Sequence, residues 1–251
     1  MQVFSPVLYR FPRLRTVLRR LYFRLQGFPD TAITQELIQA CVNKPNPTIL
    51  EIGCNDGGYT LWLDRTFEAP IIYCFEPDPR AIERFKRNVG QRPNVRLFEI
   101  ALSDHNGYVT FYQSAGKRNE KDVEKMPAGW DLSGSIRKPK EHLKVTPWVT
   151  FNEGISVETR SLDTWCEEQG VGIIDLIWID AQGAELDIFR AGTAAIARTR
   201  YIYAEYCNRE MYEGQPPLTQ LLMNLNAFDV VMKYPYDILL RNKRLYSPTI
   251  D

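Results

Sequence analysis

The stretch Thr48-Ile49-Leu50-Glu51-Ile52-Gly53-Cys54-Asn55-Asp56-Gly57-Gly58-Tyr59-Thr60 constrains this chain most. A short apolar run reads as a buried strand, and Glu51 stands near its end. A glycine-bearing turn follows, then a segment that reads as a helix through Phe67. In an open α/β sheet, ligands sit beyond the carboxyl end of such a first strand. Gly53 permits a sharp turn there, and Gly57 is expected to let the backbone approach a ligand with no Cβ in the way. The spacing is not that of a dinucleotide fold, because Asn55 stands where G-x-G-x-x-G needs glycine. It is not a P-loop either, since no Lys-Ser/Thr pair follows the second glycine. The carboxylates of Glu51 and Asp56 would repel a pyrophosphate. They suit a ligand carrying an ammonium and a sulfonium, which describes S-adenosylmethionine.

A second acid supports a nucleoside. Ile71-Ile72-Tyr73-Cys74-Phe75 reads as a second buried strand, followed by Glu76. Nucleoside-binding α/β domains place an acid about 20 residues past the glycine turn to accept from ribose hydroxyls. A carboxylate has enough lone pairs for both hydroxyls of a vicinal diol. Pro77 and Pro79 stop the strand, and Arg80 to Asn88 can run as a helix.

An ordered series of motifs resembles the FkbM family of S-adenosylmethionine-dependent methyltransferases. The series is Glu51 to Thr60, Phe75-Glu76-Pro77-Asp78-Pro79, Ala101-Leu102-Ser103-Asp104 with Gly107, Ser161-Leu162-Asp163, and Ile179-Asp180-Ala181-Gln182-Gly183-Ala184-Glu185. It runs in order across residues 48 to 206. The resemblance implies a Rossmann-like class I methyltransferase: α/β, with a mostly parallel seven-stranded sheet, helices on both faces and a C-terminal antiparallel hairpin. It also implies a cofactor site drawn from Glu51, Gly53, Asn55, Asp56, Gly57, Tyr59, Thr60, Glu76, Pro77, Ala101, Ser103 and Asp180, with Ala101 and Ser103 beside the adenine. The family commonly has Lys before Ile-Asp and Glu before Gly. This chain has Trp178 and Gln182 there, so a Lys-Glu role does not carry over.

The remaining elements follow from pattern. Thr31 to Val42 reads as a helix with Asp30 as its N-cap. Val95 to Ser103 reads as a third strand with its exit loop, and Tyr108 to Tyr112 as a strand after the Asn106-Gly107 turn. Ile173 to Asp180 is apolar enough for the middle of a parallel sheet. Its closing Asp180 is expected to share a cleft with Glu51 and Glu76. Tyr201 to Tyr206 is a fifth strand bearing Glu205, and residues 228–233 and 237–241 form a terminal hairpin expected to give an antiparallel edge.

The 251 residues read as a methyltransferase domain over 31–251, preceded by a basic amphipathic helix over 1–30. Residues 1–29 hold six arginines and no acid, while the whole chain is neutral. An apolar stripe at Leu14, Leu18, Leu21 and Leu25 suits a helix packed on the domain or, as the less favoured reading, peripheral membrane contact through residues 1–26. Zero net charge argues against nucleic acid as a partner. Five cysteines without a C-x-x-C pair suit a reducing, cytoplasmic setting and argue against a zinc site or a disulfide framework. Residues 114–150 lack clear period and read as a substrate-side insertion or lid, with Trp130 and Trp148 as candidate pocket walls.

Methyl transfer disperses charge, so positioning and water exclusion carry much of the catalysis. A hydroxyl acceptor on a small molecule, sugar or polyketide must still lose a proton, and Asp180, Glu205 and His142 are the candidate bases. Asp180 could instead hold the methionine ammonium. A divalent cation is not favoured, since no tight carboxylate cluster is visible in the sequence. For His142, a surface position is the favoured expectation. The alternative function is a non-catalytic methyltransferase-like module docking through its basic N-terminal helix.

Overall fold

A computed structural model describes residues 23–29, 32–117, 126 and 129–245. In chain order the strands are β1 (Thr48–Ile52), β2 (Ile71–Phe75), β3 (Val95–Phe98), β4 (Ala101–Ser103), β5 (Gly107–Phe111), β6 (Ser114–Gly116), β7 (Val149–Phe151), β8 (Ile155–Ser161), β9 (Ile174–Ile179), β10 (Thr199–Glu205), β11 (Phe228–Lys233) and β12 (Asp237–Asn242). The helices are α1 (Gln35–Val42), α2 (Gly58–Thr66), α3 (Pro79–Val89), α4 (His142–Val145), α5 (Leu162–Glu168), α6 (Glu185–Arg190), α7 (Thr193–Ala197) and α8 (Leu218–Asn224).

Seven strands form the main sheet in the order β11-β12-β10-β9-β1-β2-β3. β3, β2, β1, β9 and β10 pair in parallel, and β12 runs antiparallel to both β10 and β11. The expected α/β architecture is therefore present. The antiparallel strand, however, lies one place in from the edge, and β11 forms the edge. The central strands are apolar along their length because both faces are covered. Leu50, Ile52, Ile177 and Ile202 meet α5 to α8 on one face. Ile49, Leu176, Trp178 and Tyr203 meet α1 to α3 on the other.

Two expectations need correction. Val95 to Ser103 is not one strand with an exit loop. β3 ends at Phe98, and β4 leaves to join β8 and β5 in a separate three-stranded sheet. The helix expected from Thr31 starts at Gln35, where the Thr34 side chain accepts from the Leu37 N–H at 3.2 Å; residues 32–34 are not helical, whereas 23–25 are. Asp30 and Thr31, with residues 1–22 of the expected N-terminal helix, lie outside the described residues. Beyond them, Leu25 of the expected stripe is 77% exposed. Phe23 packs edge-on against Tyr236, 6.0 Å between ring centroids.

The 114–150 segment is tied at its neck by the antiparallel β6–β7 pair, with Ser114 opposite Phe151. Its body is fastened to the rest of the chain. Arg137 pairs with Asp187 of α6, and Pro139 bridges Tyr212 in the loop after β10. Trp130 and Trp148 pack on each other, centroids 4.9 Å apart, rather than lining either cavity described below.

Candidate active site

The turn after β1 is built on close backbone packing. Gly53 has φ +84°, and a Cβ there would lie 2.0 Å from the Asp180 carbonyl oxygen. The Gly53 and Cys54 N–H groups both donate to the Phe75 carbonyl, and the Asp180 N–H donates to Ile52. The glycine thus seals the ends of β1, β2 and β9 together. Gly57, also at positive φ, does a different job from the one expected. A Cβ on it would lie 2.3 Å from Val89 Cγ2 of α3, so helix packing requires the glycine, and Gly57 is not among the residues that line the cavity described next.

Against this turn lies a cavity of about 280 Å³. Gly53, Asn55, Tyr59, Glu76, Pro77, Ala101 and Asp180 line it, as do the apolar side chains of Ile52, Phe75, Ile100, Leu102, Phe111 and Ile136. Glu76 is 6% exposed. Its two oxygens each accept one backbone N–H, from Asn55 at 2.9 Å and Asp78 at 2.8 Å. Burial pushes its carboxyl up to about 8, against the opposing pull of those two bonds. Each oxygen retains a lone pair for a diol.

Five expected cofactor residues do not line this cavity. Glu51 and Thr60 bond each other at 2.6 Å beneath the turn, where burial lifts Glu51 to about 8. Glu51 therefore does not share a cleft with Glu76 and Asp180. The Asp56 carboxylate accepts from the Gly58 N–H at the start of α2. Ser103 is buried in the second sheet and accepts from Thr159 at 2.7 Å. Gly57, as above, faces α3.

Sequence reasoning missed Arg84 and Asp131. The Arg84 guanidinium forms a buried fork onto Asp131 and also donates to Asn55 Oδ1 at 2.9 Å. This joins α3, the glycine turn and the 114–150 segment, and it helps hold Asn55 at φ +44°. No sequence signal links two residues so far apart.

A second cavity of about 460 Å³ adjoins the first. Both are lined by Leu132 and Gln182. Its walls include Glu205, Tyr206, Asn208, Arg209, Tyr212, Gln215, Tyr236 and His142. Asp180 and Glu205 meet at the boundary because the parallel register sets Ala204 opposite Ile179. The antiparallel register adds Asp237 opposite Glu205. Burial raises Glu205 well above the usual carboxylate range, and the neighbouring Asp180 raises it further. Asp237 is pushed up to about 6, by burial first and then by Asp180. His142 is not a surface residue. It is 6% exposed, packed on Phe151 and Tyr212, with Thr146 Oγ1 2.7 Å from its Nδ1. Burial pulls its pKa down.

The two departures from the family pattern have distinct surroundings. Trp178 is buried in an aromatic stack, its ring centroid 4.1 Å from Tyr203 and 5.0 Å from Tyr59. Gln182 sits between Asp180 and Glu205, donating to them at 2.6 Å and 2.9 Å. Among the described residues, no group of three or more His, Cys, Asp or Glu side chains is arranged to hold a metal ion. No described helix is long and apolar enough to cross a membrane.

The family model "Methyltransferase FkbM domain" matches residues 44–234. The 2-O-methyltransferase NoeI of Sinorhizobium fredii strain NGR234 is 47% identical over 212 residues, covering 83% of this chain and 84% of that protein. The AMB antimetabolite synthetase AmbE of Pseudomonas aeruginosa is 26% identical over 221 residues, covering 81% of this chain but 10% of that protein. A solved precorrin-6y C5,15-methyltransferase from Geobacter metallireducens GS-15 aligns with a TM-score of 0.44 at 11% identity, covering 86% of this chain and 92% of that one.

Proposed function

This chain belongs to the FkbM methyltransferase family and is an S-adenosylmethionine-dependent enzyme; from that premise we propose that it methylates a hydroxyl oxygen of a sugar seated in the 460 Å³ cavity. One observation carries the reading. The two cavities meet at Leu132 and Gln182, with Asp180 lining one and Glu205 the other.

The residues of the smaller cavity fit the cofactor. Glu76 would accept from the ribose hydroxyls. Ala101, Leu102, Phe111 and Ile136 would enclose the adenine, and Asp180 stands where a cationic methionine portion would be welcome. When bound, the cofactor supplies an electrophilic methyl carbon on a sulfonium.

The larger cavity offers Tyr206, Tyr212 and Tyr236 beside the polar groups of Asn208, Arg209 and Gln215. Aromatic faces with planar hydrogen-bonding side chains suit the apolar face and hydroxyl rim of a pyranose. The 114–150 segment contributes Leu132, Ser133 and His142 to that wall, which supports its reading as a substrate-side insertion. The acceptor hydroxyl would lose its proton to the Asp180–Glu205 pair. A carboxyl raised toward neutral pH is a more effective base than an ordinary one. Buried His142, with Nδ1 engaged by Thr146, is the less favoured base. Five free cysteines support a cytoplasmic setting.

The test is transfer of labelled methyl groups to a panel of hydroxylated glycans and secondary metabolites. Asp180→Asn and Glu205→Gln should each lower kcat by about 10²–10⁴; cofactor affinity by calorimetry should be little changed in Glu205→Gln and weakened in Asp180→Asn, which also loses the carboxylate facing the methionine portion. Undiminished turnover in both variants refutes the carboxylate base. Methylation confined to nitrogen or carbon acceptors refutes the hydroxyl reading.

A further inference from the structure

Asp180, one residue past β9, stands beside Glu205 at the end of β10, which is paired with Asp237 at the start of β12. Like charges side by side across strands repel. The other titratable groups facing them are Glu185 from α6, Tyr59 from α2, Tyr203 on β10, Tyr206 and Tyr212 from the loop after β10, and Tyr234 before β12, with His142 in the wall of the same cavity as Glu205 and Tyr212. Among the described residues none of these four carboxylates forms an ion pair with Lys, Arg or His. What lies between Asp180 and Glu205 is an uncharged amide.

Both polar atoms of its side chain, and its backbone carbonyl, have partners. The Gln182 nitrogen donates one proton to Asp180 Oδ1 at 2.6 Å and one to Glu205 Oε2 at 2.9 Å. The Tyr212 hydroxyl stands 2.8 Å from Gln182 Oε1 and 2.9 Å from the Ser133 carbonyl. Ser135 Oγ donates to the Gln182 backbone carbonyl at 2.8 Å. These neighbours fix the orientation of the amide, since a flip would set its oxygen against two carboxylates. The residue is also held at φ +48°, a conformation uncommon outside glycine and a sign that its surroundings over-determine it.

We propose that Gln182 is a positioning residue that binds Asp180 and Glu205 into one proton-accepting unit and links that unit to the acceptor cavity through Tyr212, whose hydroxyl also reaches Ser133. This rests on the carboxylate-base reading above. Two N–H donors stabilise the form in which both carboxylates are charged, the form that takes the acceptor proton. Ser133 and Tyr212 wall the acceptor cavity, so filling that cavity bears on the donor that organises the base, while Ser135 holds the Gln182 carbonyl from the side of the smaller cavity. An ionised glutamate at this position would turn a donor into a third acceptor.

Gln182→Ala and Gln182→Glu in the full chain provide the test, with Tm and cofactor affinity measured alongside. The acid limb of the kcat–pH profile should move up by about one unit or more, further for Glu than for Ala, with about tenfold or greater loss at pH 7 recovered toward alkaline pH. A readout independent of turnover is the infrared stretch of the protonated carboxyl that Glu205→Gln abolishes, which should titrate at higher pH in both Gln182 variants. Gln182→Asn keeps the chemistry on a shorter arm and tolerates positive φ; it serves if the other variants fold poorly, and it should shift the profile in the same direction. A kcat reduced equally at all pH values, with the infrared titration unmoved, overturns the proposal. If Asp180→Asn and Glu205→Gln retain full turnover, the base reading falls first, and this inference falls with it.

Discussion

Glu76 and Glu205 both stand at the carboxyl ends of parallel strands, and both are held well above the usual carboxylate range by burial. They are accommodated in opposite ways. Glu76 is bonded by two backbone N–H groups from its own neighbourhood, Asn55 and Asp78. Glu205 faces other acids and is bonded by a side chain, Gln182, itself held by Tyr212 and Ser135 from distant segments. The nucleoside end of the site is therefore held by main-chain donors of two strand-end turns, with the Arg84–Asp131 pair behind Asn55. The acceptor end depends on how separate loops come together.

That contrast can be attacked at the point both ends share. Gly53→Ala should have the largest effect, because its Cβ would collide with the Asp180 carbonyl while φ stays at +84°. The expected cost is about 3 kcal/mol or more, which corresponds to a fall in Tm of roughly 10 °C, together with loss of cofactor binding and turnover. A Tm near that of the parent would mean the two ends are not coupled through this turn.

Glu76→Ala should separate the two ends. It removes the diol acceptor and strands the Asn55 and Asp78 N–H groups, each worth about 1–3 kcal/mol when left unpaired. Cofactor affinity by calorimetry should fall sharply, while KM for the acceptor changes far less. Equal losses in both would mean the nucleoside end is not an independent unit.

The pH dependence of stability sharpens the comparison next. Glu51 and Glu76 keep protons up to about 8 in the folded chain, whereas the unfolded chain releases them near the ordinary carboxylate value. Between those limits the folded state holds more protons, so stability falls as pH rises through the window. In the absence of cofactor, the urea midpoint should be lower at pH 8.5 than at pH 5.5. Glu51→Gln should flatten that slope without weakening cofactor binding, because Glu51 bonds Thr60 and does not line the cavity.

The smallest effect is expected for Ser103→Ala. Its hydroxyl is engaged by Thr159 in the second sheet, away from the cavity. Unchanged cofactor affinity is the expected result, and a marked loss would place the adenine edge further along β4 than Ala101 and Leu102.

Much of this was legible before any coordinates. The apolar runs, the glycine turn and the acids at strand ends fix a parallel sheet with a cleft at its carboxyl edge, and Glu76 and Asp180 line that cleft. Strand parity could have removed Glu51 from the site, since it alternates with Leu50 and Ile52 and so points to the opposite face. The break between Phe98 and Ala101 was not legible, because two strands in separate sheets can read as one apolar run.

The sequence by itself determined the order of elements, the sharp turn at Gly53 and the presence of an acid at each strand end, because these depend on backbone freedom and on periodicity within a few residues. Only the tertiary structure decided which acids meet. The register between β9, β10 and β12 aligns Asp180, Glu205 and Asp237, and the Arg84–Asp131 pair and the Gln182–Tyr212 bond join residues that no local pattern connects. Hydrogen bonds and charges act at a few ångströms, so their partners are set by where the folded chain returns rather than by spacing along it.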